Sequence, residues 1–281
     1  MIKLALIGTP IKQSLSPIIH HTAMECLGLL GSYELLETEQ EDLIEQLKHL
    51  KTSGYTGFNV TIPLKIPVTL FLEDVDDIAD LAGAVNTVKV SEDKYLYGYN
   101  TDVYGFTEGI PKEYKGGLKG EKAVIFGTGG VSRAVVIGLS QMGLKEVTFF
   151  STDILKGREI CQFLERKFPS MNFEVKNYSK STNLSDAAIA INTTPLGTFG
   201  KYCGVSPVDD EIMDTLDPRA IVYDLVYNPR ETEFLSQAKK RNLRTVEGIE
   251  MLIHQGLKAF EIWTGQMPPI DKIRAEVYKH L

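Results

Sequence analysis

Residues 123–143 read AVIFGTGGVSRAVVIGLSQMG. Positions 123–126 form a short apolar, β-prone run, the glycine-rich stretch 127–130 favours a tight turn, and 131–142 is typical of a helix. A second apolar run at 147–150 predicts the next strand. This order of strand, turn, helix and strand is typical of a parallel sheet, so it predicts an α/β fold with a Rossmann-like dinucleotide-binding domain.

The same alternation continues through the rest of the 281 residues, a length sufficient for one large domain or two ordinary ones. It predicts strands at 3–8, 33–36, 57–61, 84–90, 95–100, 187–191 and 220–225, and helices at 16–28, 39–51, 247–264 and 271–280. Ser16 stands where a helix N-cap is expected, with Pro17 at the first helical position. The Pro-, Gly- and Lys-rich stretch 111–122 indicates a linker or a turn before a new unit.

The composition excludes several classes of protein. Hydrophobic residues make up 43% of the chain, and no apolar run approaches the ~20 residues that span a bilayer. The N-terminus is typical of a first strand and not of a secretory signal, so we expect a cytoplasmic protein without a membrane partner. The net charge of −7 argues against nucleic-acid binding. Because Cys26, Cys161 and Cys203 lie far apart, we expect reduced thiols and no metal site.

The stretch GTGGVS (127–132) lies between a predicted strand and a predicted helix. Glycines there allow a sharp turn and let backbone N–H groups approach a pyrophosphate. Ser132 occupies the third position of the G-x-G-x-x-G pattern, so the match is imperfect. Its position in a strand–turn–helix unit nevertheless favours dinucleotide binding.

The residues after the next strand should select the cofactor, because an acid there favours NAD and a basic residue favours NADP. This chain has Ser151, Thr152 and Asp153, followed by Lys156 and Arg158, which is a mixed signal. Asp153 could instead be a plain helix N-cap.

Four short polar stretches each follow an apolar strand or loop: SLS (14–16), NVT (59–61), AVNT (84–87) and NTD (100–102). Strand ends are where α/β folds bind ligands. The hydroxyl and amide groups of these stretches suit a small polyhydroxylated or carboxylated substrate.

Lys65 and Asp102 carry the fixed charges close to these stretches. The strand in NVTIPLK (59–65) ends at a proline, and the lysine follows on the turn. A lysine beside an aspartate is a reasonable acid/base pair for moving a hydroxyl proton, and a solvated lysine with a capping aspartate is the alternative. For His20 and His21, helix surface or core packing is favoured over metal binding.

Taken together, these stretches resemble the shikimate dehydrogenase family over essentially the whole chain. The matches, in order, are GTPIKQSLSPIIHH (8–21), NVTIPLK (59–65), AGAVNT (82–87), GYNTDVYG (98–105), GTGGVSRA (127–134), INTTPLGT (191–198), DLVYNPRET (224–232) and GIEMLIHQGLKAFEIWTG (248–265). Eight ordered matches are far more specific than the glycine loop alone.

The resemblance implies two α/β domains with the active site in the cleft between them. The substrate-binding domain would be 1–103, completed by the C-terminal helices of 241–281, and the dinucleotide-binding domain would be 104–240. The implied reaction is the reversible reduction of 3-dehydroshikimate to shikimate with NADPH, in aromatic amino acid biosynthesis. We expect a monomer or homodimer whose partner is this small-molecule substrate.

The resemblance also implies roles for individual residues. Lys65 and Asp102 would flank the alcohol being oxidised. The substrate carboxylate would be bound by Ser14, Ser16, Thr61 and Tyr227. The ring hydroxyls would be held by Asn59, Asn86 and Gln255. The pyrophosphate would be bound by Gly127, Gly129, Gly130 and Val131. Residues that approach the nicotinamide would be Asp77, Val226 and Gly248. The adenosine end would be met by Thr152, Asp153 and Lys156.

This chain departs from the family pattern after the second strand of the nucleotide domain. The family usually has Asn-Arg-Thr where this chain has Ser151-Thr152-Asp153, so the arginine that pairs with a 2′-phosphate is missing, whereas Lys156 remains. The resemblance implies NADP as the cofactor, and because this arginine is absent, NAD or dual use is an alternative. His21 also stands where asparagine is common.

Three other functions are consistent with parts of the pattern. One is an NAD-using quinate/shikimate dehydrogenase of the same family. Another is a non-catalytic sensor of shikimate-like ligands, although binding alone does not require both Lys65 and Asp102. A folate-linked dehydrogenase is a weaker option, because it would leave the SLS and NTD stretches unexplained.

Overall fold

A computed structural model describes residues 1–179 and 182–281 of the chain. The chain divides into unit 1, Met1–Gly105 with Ile253–Leu281, and unit 2, Phe106–Leu252. The predicted domain boundaries differ from this division mainly at the second junction, where 241–252 belongs to unit 2. Which unit binds which ligand stays a prediction.

Unit 1 is built on a mixed six-stranded sheet in the order β2-β1-β3-β5-β6-β4. Its strands are β1 (Ile2–Gly8), β2 (Gly31–Glu37), β3 (Gly57–Val60), β4 (Asp74–Val75), β5 (Thr87–Val90) and β6 (Leu96–Tyr99). Its helices are α1 (Ser16–Leu27), α2 (Leu43–Thr52), α3 (Asp77–Ala82) and α11 (Ile270–Val277), with 3-10 turns at Pro67–Phe71 and Tyr278–His280. β1 pairs in parallel with β2 and β3, whereas β5 is antiparallel to both of its neighbours.

Unit 2 is built on a sheet in the order β12-β11-β10-β7-β8-β9, and every one of these strand pairs is parallel. Its strands are β7 (Lys122–Phe126), β8 (Glu146–Phe150), β9 (Asn172–Lys176), β10 (Ala187–Asn192), β11 (Ile221–Asp224) and β12 (Arg244–Val246). Its helices are α5 (Lys112–Lys115), α6 (Gly130–Gln141), α7 (Ile154–Lys167), α8 (Asp210–Met213) and α9 (Glu233–Lys240). The predicted α/β class and parallel sheet are therefore confirmed.

Two more helices, α4 (Asp102–Gly109) and α10 (Gly248–Thr264), each begin in one unit and end in the other. Within the described part of the chain, no helix is long and apolar enough to cross a membrane.

Strand β7 shows why the sheet of unit 2 needs layers on both faces. Ala123 and Ile125 belong to one buried apolar cluster, and Val124 and Phe126 belong to another. Because successive side chains of a strand point to opposite faces, both faces of the sheet are covered. This explains why β7 is a continuous apolar run in the sequence.

The prediction that Ser16 caps α1 is wrong. Leu15 is the N-cap residue, and Ser16 is already helical. The hydroxyl of Ser14 accepts a hydrogen bond from the backbone N–H of Ser16 at 3.2 Å. A side chain of the SLS stretch thus satisfies one of the N–H groups at the start of α1. The two serine hydroxyls are thereby held at the start of α1.

The predicted strand at 84–90 is shorter than expected, because β5 begins at Thr87. The N–H of Val85 donates instead to the carbonyl of Lys65 at 2.8 Å. The segment before β5 is thus bonded to the turn that carries Lys65. The predicted linker at 111–122 contains the short helix α5.

Candidate active site

Lys65 lies on a turn that is anchored on both sides. All four residues of β3 are buried, and Thr61 follows the strand directly. Leu64, fully buried, donates its N–H to the carbonyl of Thr61, and Val85 bonds the carbonyl of Lys65. The backbone is therefore fixed, while the lysine side chain keeps 21% of its surface exposed.

Asp102, the first residue of α4, is the partner of this lysine. Its N–H donates to Oδ1 of Asn100 at 3.1 Å, and the amide of Asn100 in turn donates to the carbonyl of Ala84. The Nζ atom of Lys65 lies 2.6 Å from Oδ2 of Asp102, whose side chain is 9% exposed. The NTD stretch thus orients a nearly buried carboxylate toward the lysine amine.

Asn86 connects Asp102 to the surrounding strands. Its amide nitrogen donates to Oδ1 of Asp102 at 2.8 Å and to Oγ1 of Thr101 at 3.0 Å, and Oε1 of Gln255 lies at 3.5 Å. Its oxygen accepts from the N–H of Thr101 at 2.8 Å and from the hydroxyl of Thr87 at 3.0 Å. The structure thus brings together four predicted residues, Lys65, Asp102, Asn86 and Gln255.

Asn59 is held by a residue that was not among the predicted site residues. The hydroxyl of Tyr33, on β2, donates to Oδ1 of Asn59 at 2.8 Å. The amide nitrogen of Asn59 donates to the carbonyl of Asn86 and to Oγ1 of Thr87, both at 3.1 Å. Both amide hydrogens of Asn59 are therefore used within the protein.

Ser14 and Ser16 form their own pair, with the hydroxyl of Ser14 donating to that of Ser16 at 3.1 Å. Thr61 is partly exposed, and its N–H donates to the carbonyl of Ile7. These three hydroxyls can donate hydrogen bonds to a carboxylate, which itself can only accept.

His20 packs in the core as expected and lies at 0% exposure. Its ring stacks on Tyr33 with centroids 4.4 Å apart. Burial lowers the pKa of His20 to about 3, although the nearby amide of Asn59 opposes this decrease. Neither ring nitrogen has a hydrogen-bond partner among the described residues. His21 is exposed, and its Nε2 accepts from the N–H of Tyr33 at 3.2 Å.

The glycine loop of unit 2 has the predicted form. Gly127 follows β7 with φ of 102°, and a Cβ there would lie 2.8 Å from the side chain of Thr194, so only glycine fits. Gly129 is the N-cap of α6, and a Cβ atom added at Gly129 or Gly130 would meet nothing within 4 Å. The first N–H groups of a 12-residue helix therefore lie beside open space, which suits a pyrophosphate.

The hydroxyl of Ser132 donates to the carbonyl of Gly129 within this first helical turn. Ser132 is fully buried. Ser132, which departs from the glycine pattern, therefore stabilises the first helical turn. Because its side chain is buried, it does not fill the open space beside Gly129 and Gly130.

The residues predicted for the adenosine end are exposed. Asp153 is the N-cap of α7 and accepts from the N–H of Lys156 at 3.0 Å, which agrees with the capping alternative. The N–H of Asp153 donates to the hydroxyl of Ser151 at 3.1 Å. The side chains of Thr152 and Lys156 are exposed.

Val226 and Gly248 meet at the backbone. A Cβ on Gly248 would lie 2.6 Å from the carbonyl oxygens of Leu225 and Val226, so the start of α10 approaches this segment too closely for any side chain. Burial raises the pKa of the neighbouring Tyr227. Asp77, in unit 1, is the exposed first residue of α3.

No group of three or more His, Cys, Asp or Glu side chains within residues 1–179 and 182–281 is placed to hold a metal ion. The residues that sequence reasoning missed are Tyr33, Thr87 and the buried carboxylate of Asp224. Thr87 ends the quoted motif AGAVNT (82–87), and Asp224 begins DLVYNPRET (224–232). Their place in these motifs was the available indication of a functional role. No local pattern indicated Tyr33, because its partner Asn59 lies 26 positions away on another strand.

Two family descriptions match parts of this chain. "Shikimate dehydrogenase substrate binding domain" matches residues 6–88, and "Shikimate 5'-dehydrogenase C-terminal domain" matches residues 248–278. A curated relative, shikimate dehydrogenase (NADP(+)) of Caldanaerobacter subterraneus subsp. tengcongensis, is 37% identical over 276 residues, 97% of this chain and 96% of the relative.

Two solved structures with a similar fold bind different cofactors. A shikimate dehydrogenase in complex with NADP⁺ has a TM-score of 0.90 at 33% identity and covers 99% of this chain and 95% of its own. Quinate dehydrogenase from Corynebacterium glutamicum in complex with NAD has a TM-score of 0.88 at 28% identity and covers 99% of both chains.

Proposed function

The chain belongs to the shikimate dehydrogenase family, and we propose that it catalyses the reversible reduction of 3-dehydroshikimate to shikimate with NADPH. The observation that carries the proposal is the contact of 2.6 Å between Nζ of Lys65 and Oδ2 of Asp102. We further propose a cytoplasmic monomer or homodimer that serves aromatic amino acid biosynthesis.

Lys65 moves the proton of the reaction. When the ketone is reduced, its oxygen becomes a hydroxyl and must gain a proton, which the ammonium of Lys65 donates. In the oxidation direction the neutral amine takes this proton back. While the ammonium is charged, it also stabilises negative charge on the reacting oxygen. NADP(H), when bound, supplies the hydride in reduction and accepts it in oxidation.

Asp102 orients the proton carrier. Its two oxygens have different partners, since Oδ2 faces Lys65 and Oδ1 accepts from Asn86. Because both oxygens are bonded, the carboxylate cannot rotate freely, and the lysine amine is held at a defined place.

The remaining predicted residues would bind the substrate. Hydroxyls of Ser14, Ser16, Thr61 and Tyr227 would bind the carboxylate. Gln255 and Asn59 would meet ring hydroxyls, with Asn86 supporting both. Neutral groups suit this task, because they bind a carboxylate while leaving selectivity to the pattern of ring hydroxyls.

The geometry of unit 2 fits a dinucleotide. The open space beside Gly129 and Gly130 at the N-terminus of α6 would take the pyrophosphate, with Gly127 and Val131 completing the loop. Lys156 would pair with a 2′-phosphate, and Thr152 and Asp153 would line the adenosine end. Asp77, Val226 and Gly248 would lie on the nicotinamide side.

A second candidate is an NAD-using quinate/shikimate dehydrogenase. It is favoured by the carboxylate of Asp153, because an acid at this position suits a free ribose hydroxyl better than a phosphate. The similar fold of an NAD-bound quinate dehydrogenase also supports this second candidate.

Initial rates with shikimate and with quinate, each with NAD⁺ and with NADP⁺, test the proposal. We expect the highest kcat/KM with shikimate and NADP⁺. The highest value with quinate and NAD⁺ would select the second candidate. Shikimate binding without turnover in any combination would indicate a sensor and overturn both.

A further inference from the structure

Asp224, the last residue of β11, is a carboxylate at 0% exposure. Its Oδ1 accepts from the amide of Asn192 at 2.9 Å and from the N–H of Val226 at 3.0 Å. Its Oδ2 accepts from the hydroxyl of Thr232, the N-cap of α9, at 2.6 Å. One buried group thus bonds the end of β10, the segment after β11 and the start of α9.

Asn192 extends this network toward the glycine loop. Its oxygen accepts from both the N–H and the hydroxyl of Thr194, at 3.0 and 2.6 Å. Thr193 donates its N–H and its hydroxyl to the carbonyl of Phe126, at the end of β7. The methyl of Thr194 in turn limits the space at Gly127. Asn192 therefore fixes the turn against which the glycine loop packs.

Asp224 also fixes the segment on the other side. Its bond to the N–H of Val226 holds the backbone that packs against Gly248, where a Cβ atom would lie 2.6 Å from the carbonyl oxygen of Val226. The N–H of Leu225 donates to the carbonyl of Asn192 at 3.0 Å, which ties the two segments together. Asp224 and Asn192 thus contact, directly or through one neighbour, both parts of unit 2 assigned to the cofactor.

We propose that Asp224 and Asn192 are positioning residues for NADP(H): the ionised carboxylate sets the backbone at Val226 and, through Asn192, the turn beside Gly127. This inference rests on the proposed function, because it assumes that unit 2 binds the dinucleotide. Neither residue needs to touch the cofactor.

The ionised form of Asp224 suits this network, because all three of its hydrogen-bond partners are donors. Burial raises the pKa of Asp224 to about 6, although the three hydrogen bonds oppose the rise. Among the described residues, no charged side chain contributes to this shift, and the groups facing the carboxylate are Asn192, Val226 and Thr232. A protonated Asp224 must donate, and only the hydroxyl of Thr232 can accept. Lowering the pH through 6 should therefore weaken the hydrogen bonds from Asn192 and Val226, although uptake of the proton itself favours the folded state.

Asp224→Asn tests the inference, because it keeps the shape of the side chain and imitates the protonated carboxyl at every pH. NADPH affinity is measured by nicotinamide fluorescence between pH 5 and pH 8, and no turnover is needed. The 2′-phosphate also titrates near pH ~6. Since this affects both proteins alike, the ratio of the two Kd values at each pH isolates Asp224. We expect a ratio of about 10 at pH 8 that falls toward 1 at pH 5.

A matched control is Asp214→Asn, on an exposed carboxylate of the same unit that pairs with Arg241. Its Kd should equal that of the wild type throughout. A ratio for Asp224→Asn near 1 at pH 8, or an equal increase at every pH, would overturn the positioning role.

Asn192→Ala provides a second route if Asp224→Asn does not fold. It removes the bridge to Thr194 and should raise the Kd at pH 8 by about tenfold. A folded Asn192→Ala protein with normal affinity would overturn the inference. Failure of the wild-type chain itself to bind NADPH would overturn the proposed function instead.

Discussion

The amide of Asn86 bonds the oxygen of Asp102 that Lys65 does not contact. Oδ1 of Asp102 lies 2.8 Å from Nδ2 of Asn86, and Oδ2 lies 2.6 Å from Nζ of Lys65. A carboxylate held by two donors has a fixed plane, and it offers each donor an acceptor. An amide at the same place could satisfy only one of them.

Asp102→Asn should therefore place an NH₂ group against one of the two donors. We expect kcat to fall by about 10²- to 10³-fold, because the lysine amine loses its partner and its position. Steady-state kinetics in the oxidation direction measure this. Asp93→Asn, on an exposed turn, is the control and should be neutral. A kcat within threefold of the wild type would show that Asp102 does not orient the lysine.

Lys65→Ala should lower turnover by about 10²- to 10⁴-fold, since the reacting oxygen then has no proton donor. Shikimate affinity, measured by calorimetry, should stay within about tenfold, because the other polar groups of the site remain. Lys89→Ala, on β5 of the same sheet, is the control. Near-normal turnover of the Lys65 variant would contradict the proton-transfer role.

Removing both hydroxyls in the double variant Ser14→Ala and Ser16→Ala should mainly raise KM. The hydroxyls bond each other at 3.1 Å and stand at the start of α1, where they can meet a carboxylate. We expect KM for shikimate to rise by at least about tenfold with a smaller change in kcat. An unchanged KM would mean that the carboxylate binds elsewhere.

The unit around β7 could be predicted in detail because its signals are local. An apolar strand, a glycine turn and a helix follow one another within 123–143, and the sheet buries both faces of the strand as the composition requires. The proximity of Lys65 and Asp102 could also be predicted, because the two residues lie in two short motifs that each follow a strand.

The contacts of Tyr33 could not be predicted, because they depend on strand register. Tyr33 pairs with Leu4 on β1, and β1 also pairs with β3, which carries Asn59. The phenol therefore reaches across β1 to its partner. One sequence does not specify this register. The mistaken cap at Ser16 has a similar origin, because Ser14 supplies the hydroxyl that the local pattern assigned to Ser16.

Tyr33→Phe should test the support that this phenol gives to the site. The change removes the donor to Oδ1 of Asn59, while the stack on His20 keeps the ring in place. We expect the free energy of unfolding to fall by about 1–2 kcal/mol, because a buried acceptor loses its partner. Urea denaturation measures this. Tyr95→Phe, with 48% of its surface exposed, should change nothing. Equal stability of the Tyr33→Phe protein would show that Asn59 finds another donor.

Asp224→Asn should also change how stability depends on pH. The folded protein raises the pKa of Asp224 from 3.8 to about 6, so the folded state binds a proton in this interval that the unfolded state has released. The stability that this proton provides is fully present below pH 3.8 and is lost as the pH rises through 6. The variant has no such group. Its free energy of unfolding, relative to that of the wild type, should therefore increase by roughly 1 kcal/mol between pH 5 and pH 7.5.

His20 has the opposite dependence, because its lowered pKa of about 3 makes the folded state lose stability as the pH falls below 6.5. This contribution is the same in both proteins and cancels in their difference. Urea denaturation of the wild type and the variant at four pH values therefore isolates the single carboxyl. A difference that stays constant from pH 5 to pH 7.5 would show that Asp224 does not titrate in this range.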